Sequence, residues 1–86
     1  MFIIELSDKV RNDQLPNLPK AIRQRILIAI NERLTTNPSE YGKPLTKEWK
    51  EHRRLRVGDY RVIYKVFEEK VVVFIVEVDH RKDIYQ

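Results

Sequence analysis

The sequence predicts an α+β domain in which two helices pack on one face of a four-stranded sheet. Three observations support this class. A short apolar segment opens the chain, helix-type spacing of apolar residues follows, and β-branched and aromatic residues dominate the last third. The predicted order is strand, helix, helix and three strands, in a mainly antiparallel sheet. A chain of 86 residues has the length of one small domain, so we expect residues 1–86 to form a single unit.

The sheet is predicted mainly from the C-terminal region. Strands are expected from residue 52, over 60–67 and over 71–78, with tight turns at residues 57–59 and 68–70. The segment Val71–Val78 is apolar apart from Glu77, which favours a central strand covered on both sides. The N-terminal segment Phe2–Leu6 would add the fourth strand.

Two helices are predicted between the first strand and the others. Ser7 or Asp8 can cap a short helix that ends near Leu15, because Pro16 disfavours helical geometry in the residue before it. Pro19 opens a longer helix, which ends at residues 35–38. Its sheet-facing side is predicted from spacings of three and four, at Ile22, Ile26, Ala29, Ile30, Arg33 and Leu34.

Composition limits the classes of function. Seventeen Lys and Arg against thirteen Asp and Glu give a net charge of +4, which favours an anionic partner. The absence of cysteine fits a reducing compartment, and no signal peptide or membrane span is predicted, so we expect a cytoplasmic protein. His52 and His80 have no cysteine or suitably spaced carboxylate beside them, and only two glycines are present. We therefore predict no metal site, no phosphate-binding glycine loop and no cofactor.

The remaining chemical signal is a set of arginines carried by the strands. They are Arg53, Arg54, Arg56, Arg61 and Arg81. Guanidinium groups match phosphate oxygens and stay charged at physiological pH. Metal-free RNA cleavage through the ribose 2′-OH also needs a group that removes one proton and a group that supplies another. Nearby His52, His80 and Tyr85 could exchange protons or stack on a base.

Structural alternatives exist for the same residues. Arg61 interrupts an apolar run, so it either reaches an acid such as Asp59 or Glu77, or belongs to a site. His80 could be a surface histidine in a salt bridge, and Tyr85 could pin the C-terminal tail to the core.

The C-terminal pattern resembles a known family. The run from Leu55 to Tyr64, LRVGDYRVIY, followed by an apolar strand and by HRKDIY at residues 80–85, is similar to the RelE/ParE superfamily of type II toxin–antitoxin toxins. The helix opening at Leu18-Pro19 and the Lys43-Pro44-Leu45 loop extend the likeness over nearly the whole chain. The resemblance implies a RelE-like fold and a toxin neutralised by a cognate antitoxin.

The RelE branch of this superfamily cuts mRNA in the ribosomal A site, and its site positions match Arg54, Arg61, Arg81 and Tyr85, with His52 two residues before Arg54. The resemblance therefore implies a metal-independent endoribonuclease that inhibits translation. In this hypothesis Arg61 and Arg81 clamp the scissile phosphate, Arg54 adds charge, Tyr85 orients a nucleotide, and His52 or His80 carries a proton. Further RNA contacts are predicted at Lys20, Arg23, Arg25, Lys47, Lys50 and Arg56.

The expected partners are the antitoxin, the ribosome with mRNA, and operator DNA only through the antitoxin complex; no membrane contact is expected. Two alternatives remain open. One is a ParE-like inhibitor that binds DNA gyrase. The other is an attenuated toxin retained for antitoxin binding and control of its own operon. In place of the lysines often found before the turn in RelE-type toxins, this chain has His52 and Arg54, which leaves the general base open.

Overall fold

The computed structural model describes residues 1–46 and 49–80. Within these residues, five strands and two helical segments follow one another. The order is β1 (Ile3–Leu6), a π-helix (Val10–Gln14), α1 (Lys20–Leu34), β2 (Lys43–Pro44), β3 (Arg53–Val57), β4 (Tyr60–Phe67) and β5 (Val72–His80). The α+β class and the three C-terminal strands with their two tight turns are confirmed.

The strands form one mixed sheet in the order β1-β5-β4-β3-β2. β1 pairs with β5 in parallel, and the other three pairings are antiparallel. The prediction of four strands is wrong, because Lys43–Pro44 adds a two-residue edge strand beside Arg53 and Arg54. The prediction of the central strand is also wrong, since β4 occupies the middle of the order.

One face of the sheet packs against α1. Alternate residues of β3, β4 and β5 point to this face and join one apolar core with the buried side of α1. The helix contributes Ile26, Ala29, Ile30 and Leu34, all of them predicted, and the strands contribute Leu55, Val57, Val62, Tyr64, Val73, Ile75 and Val78. We call this side of the sheet the helix face.

The first helical segment also covers the edge of β5, so the placement of both helices on one face is not confirmed as stated. β1 pairs with β5 only as far as Leu6 and Ile75. Beyond that point Gln14 Oε1 accepts the N–H of Val78 at 2.7 Å, and the Ser7 hydroxyl donates to the Val76 carbonyl at 3.1 Å. These contacts satisfy backbone groups that an exposed edge strand would leave unpaired.

A β-bulge in β5 controls which residues share a face. Tyr64 lies opposite Ile75, but the preceding residue, Ile63, lies opposite Glu77, so Val76 has no partner on β4. The extra residue reverses the alternation of β5 beyond this point. As a result Val78 points to the helix face, and Glu77 and Asp79 point away from it.

Tyr64 fastens the loop that follows α1. Its hydroxyl lies 2.8 Å from the Pro38 carbonyl and 2.5 Å from the Tyr41 carbonyl. The Arg53 guanidinium donates to the carbonyls of Tyr41 and Gly42, both at 3.2 Å. Burial raises the pKa of Tyr64 above its ordinary value, and the nearby Arg53 opposes part of that rise. Arg53 thus has a structural role in holding this loop.

Within residues 1–46 and 49–80, neither helical segment is long and apolar enough to cross a membrane.

Candidate functional site

The sheet face opposite α1 gathers most of the predicted arginines, and we call it the arginine face. Cross-strand register places two rows of side chains there. One row runs through Lys43, Arg54, Ile63 and Glu77, and the other through Arg56, Arg61 and Asp79. Four cations therefore lie on β2, β3 and β4, and two acids lie on β5.

Arg61 is the most deeply buried charged residue described on this face. It is 8% exposed, and its Nε lies 4.0 Å from Asp79 Oδ1. Both atoms are inaccessible to solvent, and Nε has no hydrogen-bond partner. A separation of 4.0 Å is an ion pair but too long for a hydrogen bond. The acid that Arg61 reaches is thus Asp79, and neither of the predicted partners, Asp59 and Glu77, pairs with it.

The other charges of this face differ in how far they are neutralised. Glu77 forms a 2.7 Å ion pair with Lys9, the residue just before the π-helix. Arg56 lies directly opposite Arg61 and is exposed, with no hydrogen bond or ion pair to any residue within 1–46 and 49–80. Two like charges opposite each other on neighbouring strands repel, so an anion bound between them would be stabilised.

The structure does not bring His52 next to Arg61. His52 lies just before β3, four residue steps of extended chain from Arg56, which corresponds to roughly 13 Å. Its Nδ1 lies 3.1 Å from the Lys50 carbonyl, and its ring packs edge-on against Trp49 with 5.3 Å between centroids. Arg54 is closer to the row of Arg56 and Arg61, about 7 Å along the strand from Arg56.

His80 lies on the other side of the sheet from Arg61. Its cross-strand partner is Tyr60, and their rings meet edge-on with 5.1 Å between centroids. Tyr60 itself packs against the core on the helix face. The hypothesis that His80 works beside Arg61 is therefore not supported by the register, because the bulge at Val76 turns Asp79 to the arginine face in its place.

The predicted RNA-binding residues are distributed over both layers. Lys20, Arg23 and Arg25 lie on α1, where Arg23 donates to the Pro16 carbonyl at 3.4 Å, and Lys50 is exposed ahead of β3. The Arg25 side chain reaches from α1 to the turn between β3 and β4, where its guanidinium lies against Gly58. The predictions for Lys47, Arg81 and Tyr85 lie outside the described residues.

Asp79 is the site residue that the sequence interpretation missed. A regular hairpin would place Val78 opposite Arg61, and only the bulge moves Asp79 into that position. Among residues 1–46 and 49–80 no group of three or more His, Cys, Asp or Glu side chains could hold a metal ion. The arrangement offers charge stabilisation for a bound anion through Arg54, Arg56 and Arg61.

Comparison with known proteins places these features in a family. Residues 4–85 match the family model of the ParE toxin of the type II toxin–antitoxin system parDE. The chain is 33% identical over 85 residues to toxin RelG of Mycobacterium tuberculosis, an alignment that covers 99% of this chain and 97% of the relative.

Solved structures give the same result at the level of fold. The RelBE2 toxin–antitoxin complex of M. tuberculosis matches with a TM-score of 0.78 at 30% identity, over 93% of this chain and 91% of the solved chain. The isolated RelE toxin of E. coli matches with a TM-score of 0.78 at 21% identity, over 99% and 92%, and shows the likeness in fold alone. The chain therefore belongs to the ParE toxin family, within the RelE/ParE superfamily of type II toxin–antitoxin toxins.

Proposed function

We propose that this toxin is a metal-independent endoribonuclease that cuts mRNA in the ribosomal A site and so inhibits translation. The observation that carries the proposal is the buried Arg61 of the arginine face, in one row with Arg56 and next to the row of Arg54. A buried cation with a 4.0 Å contact to its acid adds little to stability, and such a group is more readily explained by a role in binding or catalysis.

The reaction would proceed by attack of the ribose 2′ oxygen on phosphorus. The 2′-OH gives its proton to a base, the new 2′ O–P bond forms, and the P–O5′ bond breaks as the 5′ oxygen takes a proton. The products are a 2′,3′-cyclic phosphate and a 5′ hydroxyl. Arg61 and Arg54 would stabilise the negative charge that develops on the phosphoryl oxygens, together with Arg81.

The proton carrier is proposed to be His52. It precedes the strand that carries Arg54, whereas His80 packs on Tyr60 across the sheet. Tyr85 is proposed to stack on or orient a nucleotide of the mRNA. His52 and Arg61 lie apart, so the scissile ribose would have to lie between their side chains for both to act on it.

A cognate antitoxin is the proposed protein partner. The similar RelBE2 chain of M. tuberculosis was solved in a toxin–antitoxin complex, which supports the same kind of assembly for this toxin. The net charge of +4 favours an acidic partner surface. Operator DNA would be contacted only through that complex, and the cytoplasm, where mRNA is translated, is the proposed location.

A second function is supported by the family model itself, which is named for ParE. In that case the toxin would inhibit DNA gyrase through protein contacts and would leave mRNA intact. The arginine face would then bind an acidic protein surface instead of a phosphate.

Mapping of mRNA 5′ ends after a short induction of the toxin alone distinguishes these functions. The ribonuclease predicts new ends inside translated codons, which disappear when translation is blocked beforehand and when the double variant Arg61→Met/Asp79→Asn, which removes both charges of the pair, replaces the wild type. Lys70→Gln, at the β4–β5 turn, is the matched control and should cut like the wild type. Toxicity with intact mRNA and halted supercoiling would support the gyrase inhibitor, and intact mRNA without toxicity would indicate an attenuated toxin.

A further inference from the structure

We propose that a cavity beside the β3–β4 turn is a second phosphate site, distinct from the scissile phosphate and occupied by the backbone of bound RNA. The cavity has a volume of about 210 Å³ and lies between α1 and the end of β3. Three arginines line it, Arg25 and Arg33 from the helix and Arg56 from the strand. This inference rests on the proposed ribonuclease function and extends the RNA contact from one layer of the fold to the other.

The cavity exists because β3 extends beyond its neighbouring strand, β2. β2 pairs with β3 only at Arg53 and Arg54, so the outer edge of Val57 is not covered by β2. The tight turn after Val57 has Gly58 at a φ of +59°. A Cβ at Gly58 would lie 3.0 Å from Arg25 Nη1, so the missing side chain lets the guanidinium rest directly on the turn.

The three guanidinium groups are available for an anion. Arg25, Arg33 and Arg56 are exposed, and none makes an ion pair with any residue in the described ranges. Glu32 is the one acid that lines the cavity, so the lining keeps an excess of two positive charges. Guanidinium forks bind phosphate oxygens in pairs, and an uncompensated cluster of this kind favours a dianionic or polyanionic ligand.

Arg56 makes RNA the preferred ligand over an acidic protein. It lines this cavity and is also the direct cross-strand partner of Arg61 on the arginine face. A polyanion that places one phosphate near Arg61 can therefore continue past Arg56 to the helix arginines, because Arg56 borders both places. The regular repeat of phosphates along RNA suits two sites that share one cation.

The test is binding of a 2′-O-methyl RNA hexamer to the purified toxin. This probe lacks the attacking hydroxyl and is not cut, so binding is measured whether or not the toxin is a ribonuclease. In ¹⁵N-labelled protein, the Nε–Hε resonances of Arg25 and Arg33 should shift on titration. Arg25→Gln and Arg33→Gln should each reduce the magnitude of the slope of log K against log salt by about 0.7, because each removes one phosphate contact. The affinity for RNA then depends less on salt. Lys70→Gln, at the opposite end of β4, should leave the slope unchanged.

Two results would overturn the site. In one, RNA shifts only the resonances of the arginine face, and the Arg25 and Arg33 variants bind RNA like Lys70→Gln. In the other, poly-glutamate shifts Arg25 and Arg33 and RNA does not, which would assign the cavity to an acidic protein. Either failure is distinguishable from failure of the ribonuclease proposal, which is read separately from mRNA ends in cells.

Discussion

Replacement of Asp79 by Asn should destabilise the toxin by about 3 kcal/mol. At a separation of 4.0 Å, the attraction between the Arg61 and Asp79 charges is about 4 kcal/mol for an effective dielectric constant of about 20. The side chain of Asp79 is 23% exposed, so water screens part of this attraction. Asp79→Asn removes the attraction and leaves the buried charge of Arg61 without its acid, and a broken buried pair of this kind typically loses about 3–5 kcal/mol.

The double variant Arg61→Met/Asp79→Asn should recover most of that loss. It removes both charges, and with them the desolvation penalty of several kcal/mol for each ion. We expect its free energy of unfolding to lie within about 1 kcal/mol of the wild type. Urea unfolding measures both effects, since a loss of about 3 kcal/mol moves the midpoint by about 1–3 M at the slopes usual for small domains. Asp59→Asn, in the exposed β3–β4 turn, is the matched control and should change stability by less than about 0.5 kcal/mol.

Two outcomes would contradict this view of the Arg61 site. One is an Asp79→Asn variant as stable as Asp59→Asn, which would mean that the pair contributes nothing. The other is a double variant less stable than Asp79→Asn, which would mean that Arg61 stabilises the fold by itself and need not be retained for function.

Two further predictions concern the loop held by Tyr64. Tyr64→Phe removes the hydroxyl proton that serves the Pro38 and Tyr41 carbonyls, of which Tyr41 still accepts from Arg53, and should cost about 1–2 kcal/mol at pH 8. Because burial raises the pKa of Tyr64 in the folded state, the unfolded chain loses this proton first as the pH rises. The wild type should therefore lose stability above about pH 10, and Tyr64→Phe should not lose it through this group. The urea midpoints of the wild type and of Tyr64→Phe should converge. Gly42→Ala should destabilise the toxin by more than about 1 kcal/mol for two reasons. The new Cβ would lie 2.3 Å from the Arg54 carbonyl oxygen, and the backbone at this position has a φ of +69°. A thermal midpoint equal to that of the wild type would refute this prediction.

Local patterns predicted most of the secondary structure. The helix over Lys20–Leu34 followed from apolar spacing and from Pro19, and the three C-terminal strands followed from β-branched runs with Gly58 at the tight turn. β2 was missed because two residues that include a proline carry no strand pattern. Its pairing depends on a loop that is fastened by Tyr64, a contact between residues far apart in sequence.

The composition of the site was less predictable than the fold. Arg54 and Arg61 share a face because of the register between β3 and β4, which the sequence analysis did not assign. For β5 the face depends on the bulge at Val76, which exchanges the sides of His80 and Asp79 relative to a regular strand. No residue in the apolar run of β5 signals that bulge, so the acid beside Arg61 could be identified only from the structure.

Cleavage on a reconstituted ribosome is the decisive measurement for the proposed ribonuclease. Purified toxin is added to ribosomes that hold one defined mRNA with an empty A site, and the products are analysed by primer extension and by the chemistry of their ends. We expect a cut in the A-site codon, with a 2′,3′-cyclic phosphate upstream and a 5′ hydroxyl downstream. The same mRNA should stay intact without ribosomes, and Arg61→Met/Asp79→Asn should be folded but inactive. An intact A-site codon with the wild-type toxin would contradict the ribonuclease proposal, and undiminished cutting by the double variant would contradict the assignment of Arg61.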